Sequence, residues 1–191
     1  MKTLQTLVST ARPPFLLLTP AVLSLVYAIS YWQQGFLDFN LSLLVFIAAL
    51  MAHISVNTLN EYHDFHSGLD LKTTRTPFSG GSGLLPEYPE LAPKVLRISV
   101  ISVLVTVIVG CYFIAIYGWQ ILPLGVMGLL IVVTYTKWLN RSAYLCLIAP
   151  GLGFGTLIIG GSYFCITGTF NNTMWLLTII PFLLINNLLL L

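Results

Sequence analysis

The chain has 191 residues, of which 57% are hydrophobic and only 7% charged, with a formal net charge of +2. So few charges cannot cover the surface of a soluble globule, and a mean hydropathy of +0.92 places the chain in a lipid bilayer. The apolar residues fall in blocks of about 17 to 25, enough to cross roughly 30 Å of hydrocarbon as helices. These blocks are apolar on all faces, which excludes a β-barrel of alternating strands about 10 residues long. No nucleic-acid partner is expected.

The segment Met1 to Pro14 carries Lys2 and Arg12 without an apolar core and small-residue cleavage site directly after a basic start, so no cleaved signal peptide is expected. Membrane helices are predicted at residues 15–32, 41–63, 95–117, 119–138, 143–167 and 173–191. The expected fold class is therefore all-α, a multi-span transmembrane helical bundle. Only the turn at Gly118 separates the third and fourth helices, which predicts a tight antiparallel hairpin. Cys111, Cys146 and Cys165 lie in apolar stretches with no C-x-x-C spacing, and are expected to be small buried hydrophobes.

The basic residues test this assignment, because Lys and Arg in short loops favour the cytoplasmic side. With the N-terminus inside, Lys2, Arg12, Lys72, Arg75, Lys94, Arg97, Lys137 and Arg141 all fall on that side, and the outer loops 33–40 and 167–173 have none. A six-span protein with a cytoplasmic N-terminus, in a prokaryotic cell membrane, is the expectation. Lys94 and Arg97 read as headgroup anchors of the third span.

Within the second span the apolar run gives way to His53, Asn57, Asn60, Glu61 and Asp64. Steps of three and four residues put His53, Asn57, Asn60 and Asp64 along one helix face. Polar groups at membrane depth are costly and mark a wet cavity or a bundle interior. His53 fits an interhelical hydrogen bond or a substrate contact, and Asn57 is open in the same way. Glu61 points about 100° away from Asn57, as a solvated carboxylate or one standing behind the ligands. Gly68 is expected to end the helix, and Asp70 follows in a loop with Lys72, Arg75 and a glycine-rich run from Pro77 to Gly83. Oxygen ligands such as Asp64, Asp70 and the Asn60 amide suit Mg²⁺, which completes its shell with water and substrate phosphates. Adjacent cations and glycine N–H groups would neutralise a diphosphate, although the run can also be a plain flexible loop.

This pattern resembles the UbiA superfamily of intramembrane prenyltransferases, whose first acidic motif is N-x-x-x-D followed by another Asp. Here it stands as Asn60, Asp64 and Asp70, with Glu61 where Asp is more usual. The six-residue step from Asp64 to Asp70 is closer to the 1,4-dihydroxy-2-naphthoate (menaquinone) branch than to the 4-hydroxybenzoate branch, where the step is four. Arg12 and Pro13 before the first span, Arg75, and Tyr135 and Thr136 at the end of the fourth extend the resemblance along the chain. It implies that Asn60, Asp64 and Asp70 organise Mg²⁺ on a polyprenyl diphosphate. Arg12, Asn57, Lys72, Arg75 and Tyr135 then serve as substrate contacts. It further implies transfer of the prenyl group to an aromatic acceptor inside a nine-helix fold. Against that fold, residues 1–191 are expected to form one incomplete domain, with the first acidic motif in 57–70 and a cytoplasmic loop over 64–94. The last three helices and the second acidic motif would be absent, since no Asp or Glu follows Glu90. A non-catalytic module that binds a prenyl diphosphate through Mg²⁺ is the alternative expectation. An ion path along the stripe from Asn57 to Asp64 is a third, disfavoured because it leaves the cationic glycine loop unexplained.

Overall fold

The computed structural model describes residues 7–72 and 81–188, with side chains over 7–70 and 81–187. Six long helices form a bundle: α1 (Leu18–Gln34), α2 (Phe39–Ser67), α3 (Ala92–Tyr117), α4 (Leu122–Thr134), α5 (Ala143–Thr167) and α6 (Asn172–Leu188). No strand occurs among the described residues. The segments Pro13–Gln34, Phe39–Ser67, Pro89–Tyr117 and Ala143–Thr167 are long and apolar enough to cross a membrane, and Trp119–Thr134 is a shorter apolar segment. An all-helical membrane bundle is therefore the architecture, as the composition requires.

Helix ends follow local chemistry. The Asp38 carboxylate caps α2 by accepting the Leu41 N–H at 2.9 Å. Gly68, with φ of 74°, ends that helix and accommodates a left-handed turn that a β-carbon would strain. Gly118 turns the chain from α3 into α4 through a short 3-10 segment, Trp119–Ile121. The fourth helix is shorter than the predicted 119–138, because the chain leaves α-geometry after Thr134 and folds back, with the Asn140 N–H on the Tyr135 carbonyl.

Helices α2 and α3 share the most extensive interface. Two small hydroxyls, one buried and one half-buried, fix their antiparallel register: Ser99 donates to the Ser55 carbonyl at 3.1 Å, and Thr106 donates to the Ala48 carbonyl at 3.2 Å. In a hydrocarbon medium such bonds and close van der Waals packing hold helices together, since lipid gives little hydrophobic drive. The apolar core gathers Leu23 and Val26 of α1, Ala49 of α2, Phe113 of α3, Ile159 and Phe164 of α5, and Met174 of α6.

Helix α5 is irregular. Pro150 removes an N–H inside it, and the segment Leu152–Ile158 that follows winds as a π-helix. Two glycines on this stretch let α6 come close. A Cβ on Gly155 would lie 2.6 Å from the Phe182 backbone, and one on Gly151 would lie 2.1 Å from the Asn186 Oδ1.

The expectation that all three cysteines are buried holds only for Cys165; Cys146 is half-buried and Cys111 is exposed. All three border a large cavity. The outward faces carry exposed Leu104, Ile108, Met127 and Leu130, so apolar character does not mark the inside of this bundle.

Replacing Gly155 by Val should separate α5 from α6 and lower the unfolding free energy in detergent by roughly 1–3 kcal/mol. Gly161→Ala on the same helix, where a Cβ meets nothing within 4 Å, should leave the thermal midpoint unchanged or higher.

Candidate functional site at the polar end of the cavity

The polar stripe of α2 opens into a cavity of about 980 Å³ walled by α1 to α5 and by Ile185 of α6. Arg12, His53, Asn57, Asn60, Asp64, Tyr135 and Asn140 border it together with a much larger set of apolar side chains. From Asp64 the polar stripe along α2 gives way to Ala52, Ala49, Ala48 and Val45, so the cavity is polar at one end and apolar through its depth.

The turn before α1 is held in place by that stripe. Arg12 takes a left-handed conformation (φ 53°, ψ 66°), unusual for a residue with a side chain. The Asn57 amide donates to the neighbouring Ala11 carbonyl at 2.8 Å, and the Arg12 guanidinium donates to Glu61 Oε2 at 3.3 Å. The Arg12 Nε has no hydrogen-bond partner among the described residues. One edge of the guanidinium is thus anchored while Arg12 still borders the cavity.

Of the two readings of Glu61, the solvated one does not hold, because the residue is 0% exposed. Its carboxylate accepts the Ser82 N–H at 2.9 and 3.0 Å on its two oxygens, accepts the Ser82 hydroxyl as well, and pairs with Arg12. Ser82 in turn accepts the Leu84 N–H at 3.1 Å. A buried carboxylate needs such partners to offset its lost hydration. The signal in the sequence was present: a carboxylate within an otherwise apolar span implies a buried partner, and Arg12 and the glycine-rich loop were the available donors.

On the cavity side of α2, Asn60 Oδ1 accepts the Thr136 hydroxyl at 3.0 Å, which draws the end of α4 onto the stripe. Asp64 is 9% exposed and borders the cavity. Its electrostatic surroundings combine the negative charges of Asp70 and Glu61 with the positive charge of Arg12. Asp70, in the short helix Leu69–Lys72, is 7% exposed and is not among the cavity-lining residues. A Cβ on Gly81 would sit 3.1 Å from both of its carboxylate oxygens, so glycine lets the loop backbone close over Asp70. Tyr135 borders the cavity with its hydroxyl 3.9 Å from the Cys146 sulfur. His53 makes the interhelical hydrogen bond of its first reading, with its Nδ1 on the Thr19 hydroxyl at 2.8 Å; its ring lies edge-on to Phe154 at 4.6 Å, and it lines the cavity. The Lys72 side chain, Arg75 and the run from Pro77 to Gly80 lie outside the described residues.

Among the described residues no group of three or more His, Cys, Asp or Glu side chains forms a self-sufficient metal cage. The oxygen donors that could take part in a shared site are the Asn60 amide and the Asp64 carboxylate on the cavity, with the Asp70 carboxylate under the glycine loop beside them. That suits a hard cation sharing its shell with water and a phosphorylated ligand rather than a dedicated protein site.

Fold and site together define a polytopic helical membrane protein that presents carboxylates, amides and a guanidinium at the mouth of an apolar cavity. The chain belongs to the UbiA prenyltransferase family, whose model matches residues 17–191. It is 28% identical over 163 residues to the 1,4-dihydroxy-2-naphthoate octaprenyltransferase of Bacillus subtilis (strain 168). That match covers 84% of this chain and 50% of the relative, so the chain spans about half the length of the curated relative it matches. No solved structure matches the chain.

Glu61→Gln keeps the side-chain volume and removes the charge that holds Arg12 and Ser82. With Arg12 22% exposed, solvent screens part of the pair, and the loss should be roughly 1–3 kcal/mol of unfolding free energy. Hydrogen exchange at the Ser82 amide should accelerate in parallel, whereas Glu61→Asp should lose less on both measures. Unchanged exchange in Glu61→Gln would show that the loop is held by other means.

Proposed function

We propose that this chain carries the donor half of a membrane prenyltransferase site, binding a polyprenyl diphosphate with its head at Asn60, Asp64 and Asp70. The observation that carries the reading is the cavity itself, a single space with Arg12, Asn57, Asn60 and Asp64 at one end and apolar walls through the rest. An amphipathic ligand with an anionic head and an isoprenoid tail matches that division of surface. Membership of the UbiA prenyltransferase family and the similarity to a naphthoate octaprenyltransferase support the same ligand class and an aromatic acceptor.

In the reaction the family membership implies, the allylic C–O bond breaks, its electron pair leaves with the diphosphate, and a ring carbon of the acceptor attacks the allyl cation. The ring then loses a proton, or carbon dioxide where the acceptor carries a carboxylate at that carbon. Asn60, Asp64 and Asp70 would hold Mg²⁺, whose charge when bound supports departure of the diphosphate. Arg12 adds positive charge in a medium that screens it weakly. Asn57 and Glu61 fix Arg12 in position before any ligand arrives, so little reorganisation is needed on binding. The apolar walls exclude water, which would otherwise capture the cation. Tyr135 and His53 place further polar atoms on the cavity wall for the donor head or the acceptor.

The distribution of Lys and Arg supports a cytoplasmic location for the N-terminus and the polar end of the cavity. Arg12, Lys137 and Arg141 sit at the end of the bundle that carries Asn60 and Asp64, joined to it through Glu61 and Thr136. Gln33 and Asn171 meet on Tyr163 elsewhere in the bundle.

The detergent-purified chain should bind a prenyl diphosphate only when Mg²⁺ is present, and Asp64→Ala should weaken that binding at least tenfold, or about 1.4 kcal/mol. Binding that is indifferent to both Mg²⁺ and Asp64 would overturn the reading. A second assay, with an aromatic acceptor added, separates a complete transferase from a binding module by the appearance of prenylated product.

A further inference from the structure

Among the described residues, five glycines line the large cavity: Gly110 on α3, Gly125 and Gly128 on α4, and Gly153 and Gly161 on α5. A Cβ added at any of them would meet no atom within 4 Å. None of the five has the positive φ that favours glycine, in contrast to Gly68, Gly81 and Gly118. None is pressed against a neighbouring helix, in contrast to Gly151 and Gly155. Glycine inside a helix weakens it relative to alanine. At these positions neither backbone geometry nor helix packing accounts for the choice, and the feature they share is open cavity beside the missing side chain.

Their depth can be read from interhelical contacts. Along α2, His53 lies seven residues from Asn60, a rise of about 10 Å. Its ring meets Phe154, so Gly153 stands at that level. Ala48 lies twelve residues from Asn60, about 18 Å along the helix. Its carbonyl accepts the Thr106 hydroxyl, and Gly110 lies one turn further from the polar end, at about 24 Å. Gly153 therefore borders the near part of the cavity and Gly110 the far part.

We propose that these glycines set the bore and depth of the tail compartment, and thereby the length of isoprenoid that the chain accepts. The inference rests on the assignment of the cavity to a prenyl diphosphate. A side chain introduced at Gly153 would obstruct the path of all but the shortest tails, whereas one at Gly110 would obstruct only a long tail. A graded dependence on both tail length and position follows, which a general loss of stability would not produce.

Equilibrium binding of geranyl, geranylgeranyl and octaprenyl diphosphates to the 191-residue chain in detergent, with Mg²⁺, tests the proposal. In Gly153→Leu, geranyl diphosphate should bind within about twofold of the unsubstituted chain and the two longer donors about tenfold more weakly or worse. In Gly110→Leu, only the octaprenyl donor should weaken. Gly153→Ala and Gly110→Ala should show the same order with smaller changes, and they decide the matter if either leucine variant fails to fold. Equal effects on all three donors, or none on any, overturn the proposal. Failure of the unsubstituted chain to bind any of the three overturns instead the assignment of the cavity to a prenyl diphosphate.

Discussion

A single carboxylate, Glu61, joins three parts of the chain that are distant in sequence. It stands on α2, receives Arg12 from the turn before α1, and receives Ser82 from the loop that leads to α3. Isolated, a charge at that depth would cost several kcal/mol. The burial penalty thus acts as a constraint, because conformations that leave Glu61 without its donors are strongly disfavoured. The polar end of the cavity inherits its shape from this constraint. Arg12 stays at the cavity rim, the loop passes over the Asp70 carboxylate at Gly81, and the side of the stripe with Asn60 and Asp64 remains open to the cavity.

The stripe on α2 therefore has two sides with different duties. Glu61 faces segments of the protein and is satisfied by them. Asn60 and Asp64 face the cavity, with Asn60 steadied by Thr136 from the end of α4. A helix can do this because residues one apart differ by about 100° around its axis. Adjacent residues Asn60 and Glu61 can thus face the cavity and the scaffold separately.

The bundle was legible in the sequence because a bilayer permits few architectures: long apolar blocks must be helices, and Gly68 and Gly118 mark where two of them end. The polar stripe was legible for the same reason, since hydrocarbon makes every polar group informative. The apolar residues were not legible in that way. Lipid and protein interior favour the same side chains, so the sequence did not distinguish exposed Cys111 from buried Cys165. Nor did it separate glycines that admit a neighbouring helix, such as Gly155, from those that leave space, such as Gly153. The partners of Glu61 were not legible, because helical angle alone does not say what lies on the other side of α2, where a loop from a later part of the chain supplies Ser82. The π-helical stretch of α5 follows Pro150, but a proline alone does not announce how the surrounding turns rearrange.

The left-handed backbone at Arg12 places two demands on one residue. A side chain with a β-carbon in that conformation carries a strain of order 1–2 kcal/mol, which a glycine would relieve. A glycine would also remove the guanidinium from the cavity rim and leave Glu61 without its cation. At this position the backbone conformation and the charge that pairs with Glu61 favour different amino acids. Its tension is held in check from outside the residue, by Asn57 on the preceding carbonyl and by Glu61 on the side chain. Loosening either restraint would let the turn relax, so the position of the guanidinium at the cavity rim is stored in the neighbours of Arg12 as much as in Arg12 itself.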